Sequence, residues 1–115
     1  MESSYKKLNI IFAISSFLVS FVVYLLTMAD TVPYWDSGEF IATSYILGVP
    51  HPPGSPLFLL LGNVFSQLPI LNDIGARVNI LSPLASAFSV MFLYFIIVYL
   101  IEEFNEKSEG VSKII

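Results

Sequence analysis

Side chains capable of acid–base or anion-binding chemistry are concentrated in the middle of the chain. Asp36 and Glu39 are three positions apart, so a helix would place both carboxylates on one face. His51 follows in a proline-rich segment, and Arg77 precedes a long apolar run. The neighbouring residues are largely apolar, and a charge held near lipid costs free energy unless it is paired or used. These four residues are therefore the candidate functional residues.

Each candidate also has a purely structural interpretation. Asp36 as an N-cap with Glu39 at the third helical position would form a variant capping box, and the spacing alone favours this cap. His51 would bond a nearby carbonyl or lie at the membrane interface, and Arg77 would reach the lipid headgroups with its charged end. A zinc site is not expected, because the chain has one His and no Cys. An aromatic belt at the membrane surface is the expected role of Tyr34, Trp35 and Tyr45.

The composition indicates a membrane protein. Of the 115 residues, 56% are hydrophobic and only 12% are charged, whereas about 25% are charged in an ordinary soluble domain. The high hydrophobicity excludes a disordered chain, and the absence of cysteine excludes a disulfide scaffold. Five Lys and Arg residues against nine Asp and Glu residues disfavour a nucleic-acid partner. Membrane lipids are the expected surroundings.

Two uncharged segments, residues 8–28 and 78–101, are long enough to be transmembrane helices, since a span needs about 20 apolar residues. The first run is longer than the roughly 7–15 apolar residues of a signal peptide, and we therefore predict a retained helix. Pro83 predicts a kink near the start of the second run, because proline lacks a backbone donor.

The connecting loop, residues 29–77, is predicted to contain two short interfacial helices. One runs from Asp36 to about Leu47, and the other starts at Pro56 and ends near residue 68. Lysines near both chain ends predict that residues 1–7 and the acidic tail, 102–115, are cytoplasmic and that the loop lies on the outer face. The expected fold is an all-α, multi-pass integral membrane protein.

Several motifs of this loop together resemble one family. They are the segments WDSGEF at 35–40, LGVPHPPG at 47–54, LP at 68–69 and RVN at 77–79. The pattern is similar to the N-terminal part of a family of multi-spanning bacterial membrane proteins of formerly unknown function. That family is related to protein O-mannosyltransferases and, more widely, to the GT-C glycosyltransferases. In protein O-mannosyltransferases a first outer loop carries adjacent acids before a His-Pro-Pro motif, whereas here Ser37 and Gly38 separate the acids.

The resemblance implies an inverting transfer of a sugar from a polyprenyl-phosphate donor to an acceptor hydroxyl on a protein or glycan. Asp36 would be the general base and Glu39 a supporting carboxylate. His51 would shape the substrate pocket, and Arg77 would contact the donor phosphate. The resemblance implies no cofactor beyond the lipid-linked donor substrate, and it leaves a metal requirement open. The expected location is the bacterial cytoplasmic membrane.

Two helices cannot enclose a large substrate cavity, so we expect the chain to be a partial gene product, inactive without further transmembrane helices. The alternative is a complete, non-catalytic two-helix subunit or anchor that assembles through the small residues of the second span. These residues are Ser82, Ala85, Ser86 and Ser89. A transporter fragment is a third, less favoured interpretation, because no matching second half is present.

Overall fold

The computed structural model describes residues 2–52 and 54–112, in which every regular element is an α-helix. In chain order the helices are α1 Glu2–Thr27, α2 Ser37–Ile46, α3 Pro56–Gln67, α4 Ile74–Asn79 and α5 Leu81–Ser112. Two segments are long and apolar enough to cross a membrane, Ser4–Thr27 in α1 and Ile74–Asn105 across α4 and α5. The predicted all-α class is confirmed, and the structure adds α4 to the two predicted short helices. The sidedness of the loop and of both ends stays a prediction.

The helices form two compact units, one of residues 2–22 and 86–112 and the other of residues 23–85. In the first unit, Ala13 and Ala87 are fully buried, which fits the close helix approach that small residues allow in lipid. The Phe17 and Phe88 rings pack beside them with centroids 4.8 Å apart. Most large apolar side chains of these two helices are exposed. Such outward faces suit a lipid environment.

The second apolar run is divided into two helices. The structure ends α4 at Asn79 and begins α5 at Leu81, with Ile80 between them. Pro83 has no backbone N–H to donate to the carbonyl of Asn79, so an uninterrupted helix would leave that carbonyl without its partner. Ile80 itself keeps a helical backbone, and its N–H donates to the Ala76 carbonyl, so the kink predicted at Pro83 stays a prediction.

The last helix continues well beyond residue 101, where the sequence predicts that the span ends. α5 extends through the acidic tail to Ser112. Lys107 pairs with Glu103 one turn earlier over 2.8 Å, a spacing that supports a solvated helix. The tail is therefore a helical extension as far as the structure describes it. Residue 1 and residues 113–115 of the predicted terminal segments lie outside the described residues.

In the second unit, α2 and α3 pack closely where Ser44 meets Gly62. A Cβ atom at Gly62 would lie 2.6 Å from the Ser44 Oγ and 2.9 Å from its Cβ. The Asn63 amide donates to the carbonyls of Ser44 (2.9 Å) and Tyr45 (3.1 Å). These bonds satisfy carbonyls of the last turn of α2, which a helix leaves without partners. The contact fixes α3 against the end of α2.

We expect Gly62→Ala to lower the free energy of unfolding by about 1–2 kcal/mol, because overpacking costs about 1–3 kcal/mol against at most about 1 kcal/mol gained in helix propensity. Chemical denaturation in detergent micelles, followed by circular dichroism, measures the change. Gly48→Ala is the matched control, since the nearest atom to its new Cβ would lie at 3.4 Å, an ordinary contact. Equal stability of the two variants would contradict the close approach at Gly62.

Candidate functional site

An open cleft of about 550 Å³ lies within residues 33–82, next to the start of α2. Its volume is in the range of small-molecule sites, about 300–1,000 Å³. Three aromatic residues contribute to the lining, Trp35, Phe40 and Phe58. The polar contributors are Asp36, Ser37, Ser55, Asn79 and Ser82. The cleft thus combines ring surfaces with hydroxyl, amide and carboxylate groups.

Asp36 is the carboxylate of this cleft. It directly precedes α2, at the N-cap position, but its side chain makes no capping hydrogen bond. The capping box predicted for Asp36 and Glu39 is therefore wrong. The Asp36 backbone is helical, with φ −69° and ψ −7°, whereas a capping residue usually has extended backbone. Among the described residues, the Asp36 carboxylate has no hydrogen-bond or ion-pair partner, so it is available to a ligand.

Glu39 instead binds His51, which is twelve positions later in the chain. The His51 backbone N–H donates to Glu39 Oε1 over 2.8 Å. The second carboxylate oxygen, Oε2, lies 2.7 Å from His51 Nδ1. Both oxygens of one carboxylate thus hold one residue, which fixes the imidazole by its main chain and its ring. The other ring nitrogen, Nε2, has no partner among the described residues.

The turn after α2 makes this pairing possible. Leu47 adopts the left-handed conformation, with φ 53°, and the Gly48 N–H donates to the Thr43 carbonyl over 2.8 Å. This closing pattern ends the helix one residue earlier than predicted. The chain then turns back through the buried Pro50 to His51. Pro53, the second proline of the His-Pro-Pro motif, lies outside the described residues.

The contact between Glu39 and His51 shifts the pKa values of both residues. The hydrogen bond from the His51 ring, with that from its backbone, lowers the pKa of Glu39 from its ordinary value of 4.5. The hydrogen bond to Glu39 and the negative charge of that carboxylate raise the pKa of His51 from its ordinary value of 6.5. The charge of Asp36 adds a smaller contribution in the same direction. The carboxylate of the cleft and the histidine are thus close enough to interact electrostatically.

These directions define the pH range in which the pair stabilises the fold. The contribution from His51 is complete below 6.5 and is lost as the pH rises through its raised pKa. The contribution from Glu39 is complete above 4.5 and is lost as the pH falls through its lowered pKa. Both stabilising contributions are therefore complete between pH 4.5 and pH 6.5.

His51 is the single histidine of the chain, so its ring signals can be followed without ambiguity. We expect a pH titration by nuclear magnetic resonance to give a His51 pKa above 6.5. Glu39→Gln should lower this pKa toward 6.5, because it removes the charged acceptor. Asp36→Asn should lower it less, since its contribution is smaller. An unchanged pKa in Glu39→Gln would show that the pair does not form in solution.

Arg77 lies apart from the other candidates. Its Nε donates to the Leu71 carbonyl, and its Nη1 donates to the Ser66 carbonyl over 3.1 Å. It does not line the cleft that contains Asp36. Arg77 thus joins the end of α3 to the segment before α4. The structure brings Glu39 to His51 and brings His51 within electrostatic reach of Asp36. Of the four candidates, Asp36 lines the cleft, whereas Glu39, His51 and Arg77 do not.

Several lining residues had no predicted role in a site. The sequence predicts an aromatic belt for Trp35, and it places Asn79 only in the RVN motif. The Asn79 amide donates to the carbonyls of Ala29 (3.0 Å) and Thr31 (2.9 Å), which joins the start of the loop to α4. The spacing of Asp36 and Phe40 could have indicated that both line one cleft, because residues four positions apart lie on the same face of a helix. In the part of the chain that is described, no group of three or more His, Cys, Asp or Glu side chains is placed to hold a metal ion.

Comparison with known proteins identifies the family. Residues 36–114 match the family model described as the N-terminal domain of the protein O-mannosyl-transferase TMEM260. The chain belongs to this family. The predicted resemblance is thereby confirmed. All four candidate residues of the TMEM260-like chain, Asp36, Glu39, His51 and Arg77, lie in the matched segment.

Individual relatives support the same assignment. The chain is 40% identical over 73 residues to the protein O-mannosyl-transferase TMEM260 of Mus musculus, a match that covers 64% of the chain and 10% of that protein. It is 32% identical over 91 residues to the namesake protein of Dictyostelium discoideum, which covers 77% of the chain and 11% of that protein. The chain therefore spans about a tenth of the length of these curated relatives. No solved structure matches it significantly.

Proposed function

We propose that this chain carries part of the active site of a membrane O-mannosyltransferase. The enzyme would transfer mannose from a polyprenyl-phosphate donor to an acceptor hydroxyl, with inversion at the anomeric carbon. The observation that carries the proposal is the Asp36 carboxylate, which has no partner among the described residues and lines a cleft. Its support is the family match, which includes Asp36, and relatives that are named protein O-mannosyl-transferases.

Asp36 is the general base in this mechanism. The acceptor oxygen attacks the anomeric carbon of the sugar while its hydroxyl proton passes to the Asp36 carboxylate. The bond between the anomeric carbon and the phosphate oxygen breaks, and the polyprenyl phosphate leaves with the electron pair. A base in this position must reach the acceptor hydroxyl within hydrogen-bond distance. A carboxylate already paired within the protein would have to break that bond first, and Asp36 has no such bond to break.

Glu39 is a positioning residue that acts through His51. It holds His51 by the backbone and by Nδ1, so Nε2 is left to contact substrate. The Phe40 ring stands with its centroid 5.8 Å from that of the imidazole, edge to face, and limits its movement. We assign the His51 ring to the substrate pocket. A fixed imidazole orients a bound hydroxyl or phosphate better than one that rotates freely.

The predicted contact of Arg77 with the donor phosphate requires the phosphate to extend out of the cleft, because Arg77 does not line it. A guanidinium has five N–H donors, and the carbonyls of Leu71 and Ser66 engage Nε and Nη1. The remaining N–H groups are available to a phosphate, to which arginine binds with a fork of parallel hydrogen bonds. The loop would lie on the outer face of the membrane, beside lipid headgroups. Further transmembrane helices of the enzyme would complete the donor site.

Transfer assays on native membranes test the proposal. Membranes from cells with the intact gene and from cells with the gene disrupted are supplied with a peptide acceptor and radiolabelled mannose. The label is supplied either as polyprenyl-phosphate mannose or as a nucleotide sugar. For the nucleotide sugar, the lipid carriers are first removed from the membranes. We expect transfer from the lipid-linked donor only, and only with the intact gene. Equal transfer from both membranes would contradict the proposed function and favour the non-catalytic subunit.

A further inference from the structure

Trp35 has an unusual backbone and an unusual degree of exposure. Its φ is 68°, in the left-handed region that a bulky residue adopts only at a cost in free energy. Its side chain is 93% exposed, yet it contributes to the wall of the cleft beside Asp36. Among the described residues it takes part in no aromatic pair, whereas Phe40 and Phe58 pack edge to face with centroids 5.8 Å apart. The Trp35 ring therefore has a face available to a ligand.

An aromatic belt does not account for this arrangement. Tyr34 is 94% exposed, and it satisfies the requirements of a belt equally well. Tyr34, however, has no positive φ and does not line the cleft. Strained conformations persist where the surrounding structure imposes them, and they cluster at ligand-binding sites. The difference between two adjacent aromatic residues thus points to a ligand at Trp35.

The chemistry of the cleft indicates which ligand this is. A pyranose ring has faces of C–H groups, which pack on an aromatic ring, and an edge of hydroxyl groups, which need hydrogen-bond partners. Trp35 provides the first kind of surface. The second is provided by the Ser55 and Ser82 hydroxyls, which have no hydrogen-bond partner among the described residues, and by the acceptor oxygens of Ser37 and Asn79. An apolar ligand such as an isoprenoid chain would leave the Ser55 and Ser82 hydroxyls without partners, which costs free energy.

We propose that Trp35 is the platform on which the pyranose ring of the transferred sugar stacks, next to the Asp36 carboxylate. The proposal rests on the proposed function, which requires a sugar at this carboxylate. Because Trp35 and Asp36 are consecutive, the backbone that sets the position of the ring also sets that of the base. Stacking would therefore fix the distance between the sugar and the base.

Tryptophan fluorescence gives a direct test, because Trp35 is the single tryptophan of the chain. The full chain is purified in detergent micelles and titrated with methyl α-mannoside, with the acyclic alcohol mannitol as the matched ligand control. We expect methyl α-mannoside to change the emission of Trp35 and to protect it from quenching by iodide, and mannitol to do neither. No effect of methyl α-mannoside up to its solubility limit, or an equal effect of mannitol, would overturn the proposal.

Kinetics in native membranes separate this proposal from the proposed function. We expect Trp35→Ala to raise the KM for the lipid-linked donor by about tenfold, the upper range for one aromatic contact, and Tyr34→Ala to leave it unchanged. Equal effects of the two substitutions would support a belt and overturn the platform. Normal KM values in both variants, with transfer still dependent on the intact gene, would also overturn the platform but leave the proposed function standing. If membranes with the intact gene transferred no more mannose than membranes with the disrupted gene, the proposed function itself would be contradicted.

Discussion

Asp36→Asn in the native gene is expected to lower the rate of sugar transfer by about 10²–10⁴-fold, the usual contribution of a general base. Asparagine has nearly the same shape as aspartate, but it cannot accept the proton of the acceptor hydroxyl. The Asp36 side chain makes no capping bond, so this change should leave the fold intact. Initial rates with polyprenyl-phosphate mannose and a peptide acceptor, in membranes with matched protein levels, measure the effect.

The matched control is Asp30→Asn. Asp30 is also an exposed carboxylate of the loop, but it lines a different cavity, together with Leu25 and Ile70. The Asp30→Asn variant should therefore retain the parent rate of sugar transfer. A parent-like rate in Asp36→Asn, or an equal loss in both variants, would exclude Asp36 as the base.

Glu39→Gln is expected to lower transfer by about 10- to 100-fold, because a reacting group misplaced by about 1 Å loses up to about 10²-fold. The amide replaces one of the two acceptor oxygens by an NH₂ donor, so it cannot reproduce the arrangement in which one oxygen faces the backbone N–H and the other faces Nδ1 of His51. The imidazole should then lose its fixed orientation. Transfer rates measured across a pH series report the effect.

The pH profile distinguishes positioning from a general loss of structure. Because Glu39 raises the pKa of His51, Glu39→Gln should move the limb of the profile that reports His51 to lower pH. A double-mutant cycle adds a second criterion: if Glu39 acts only through His51, Glu39→Gln should cause little further loss in a His51→Ala background. Fully additive losses, or a profile that keeps its shape, would show that Glu39 does not act through His51.

Local patterns in the sequence were sufficient to predict four of the five helices that the structure describes; α4 was not predicted. Long apolar runs predict the two long helices, since only helices satisfy the backbone of such runs in lipid. The Ser55-Pro56 pair predicts the start of α3, because proline is suited to the first helical position, and α3 begins at Pro56. The motifs of the loop also identified the family, which the match over residues 36–114 confirms.

The hydrogen-bond partners of the candidate residues could not be predicted from local patterns in the sequence. Spacing alone favoured a capping box for Asp36 and Glu39, because capping depends only on residues within one helical turn. The turn after α2 instead returns His51 to Glu39, and a hydrogen bond between residues twelve positions apart depends on that turn. Trp35 became a cleft residue in the same way, through a left-handed backbone that its residue type does not favour.

The sequence by itself determined the apolar helices, the membrane class and the family of this protein, because each of these depends on residues close together in the chain. Only the tertiary structure decided which carboxylate lines the cleft and which one holds the histidine. The physical reason is that α2, its turn and α3 must pack together before these side chains meet. The contact of Ser44 with Gly62 holds α3, which contributes Phe58 to the cleft, against α2, and the turn after α2 returns His51 to Glu39.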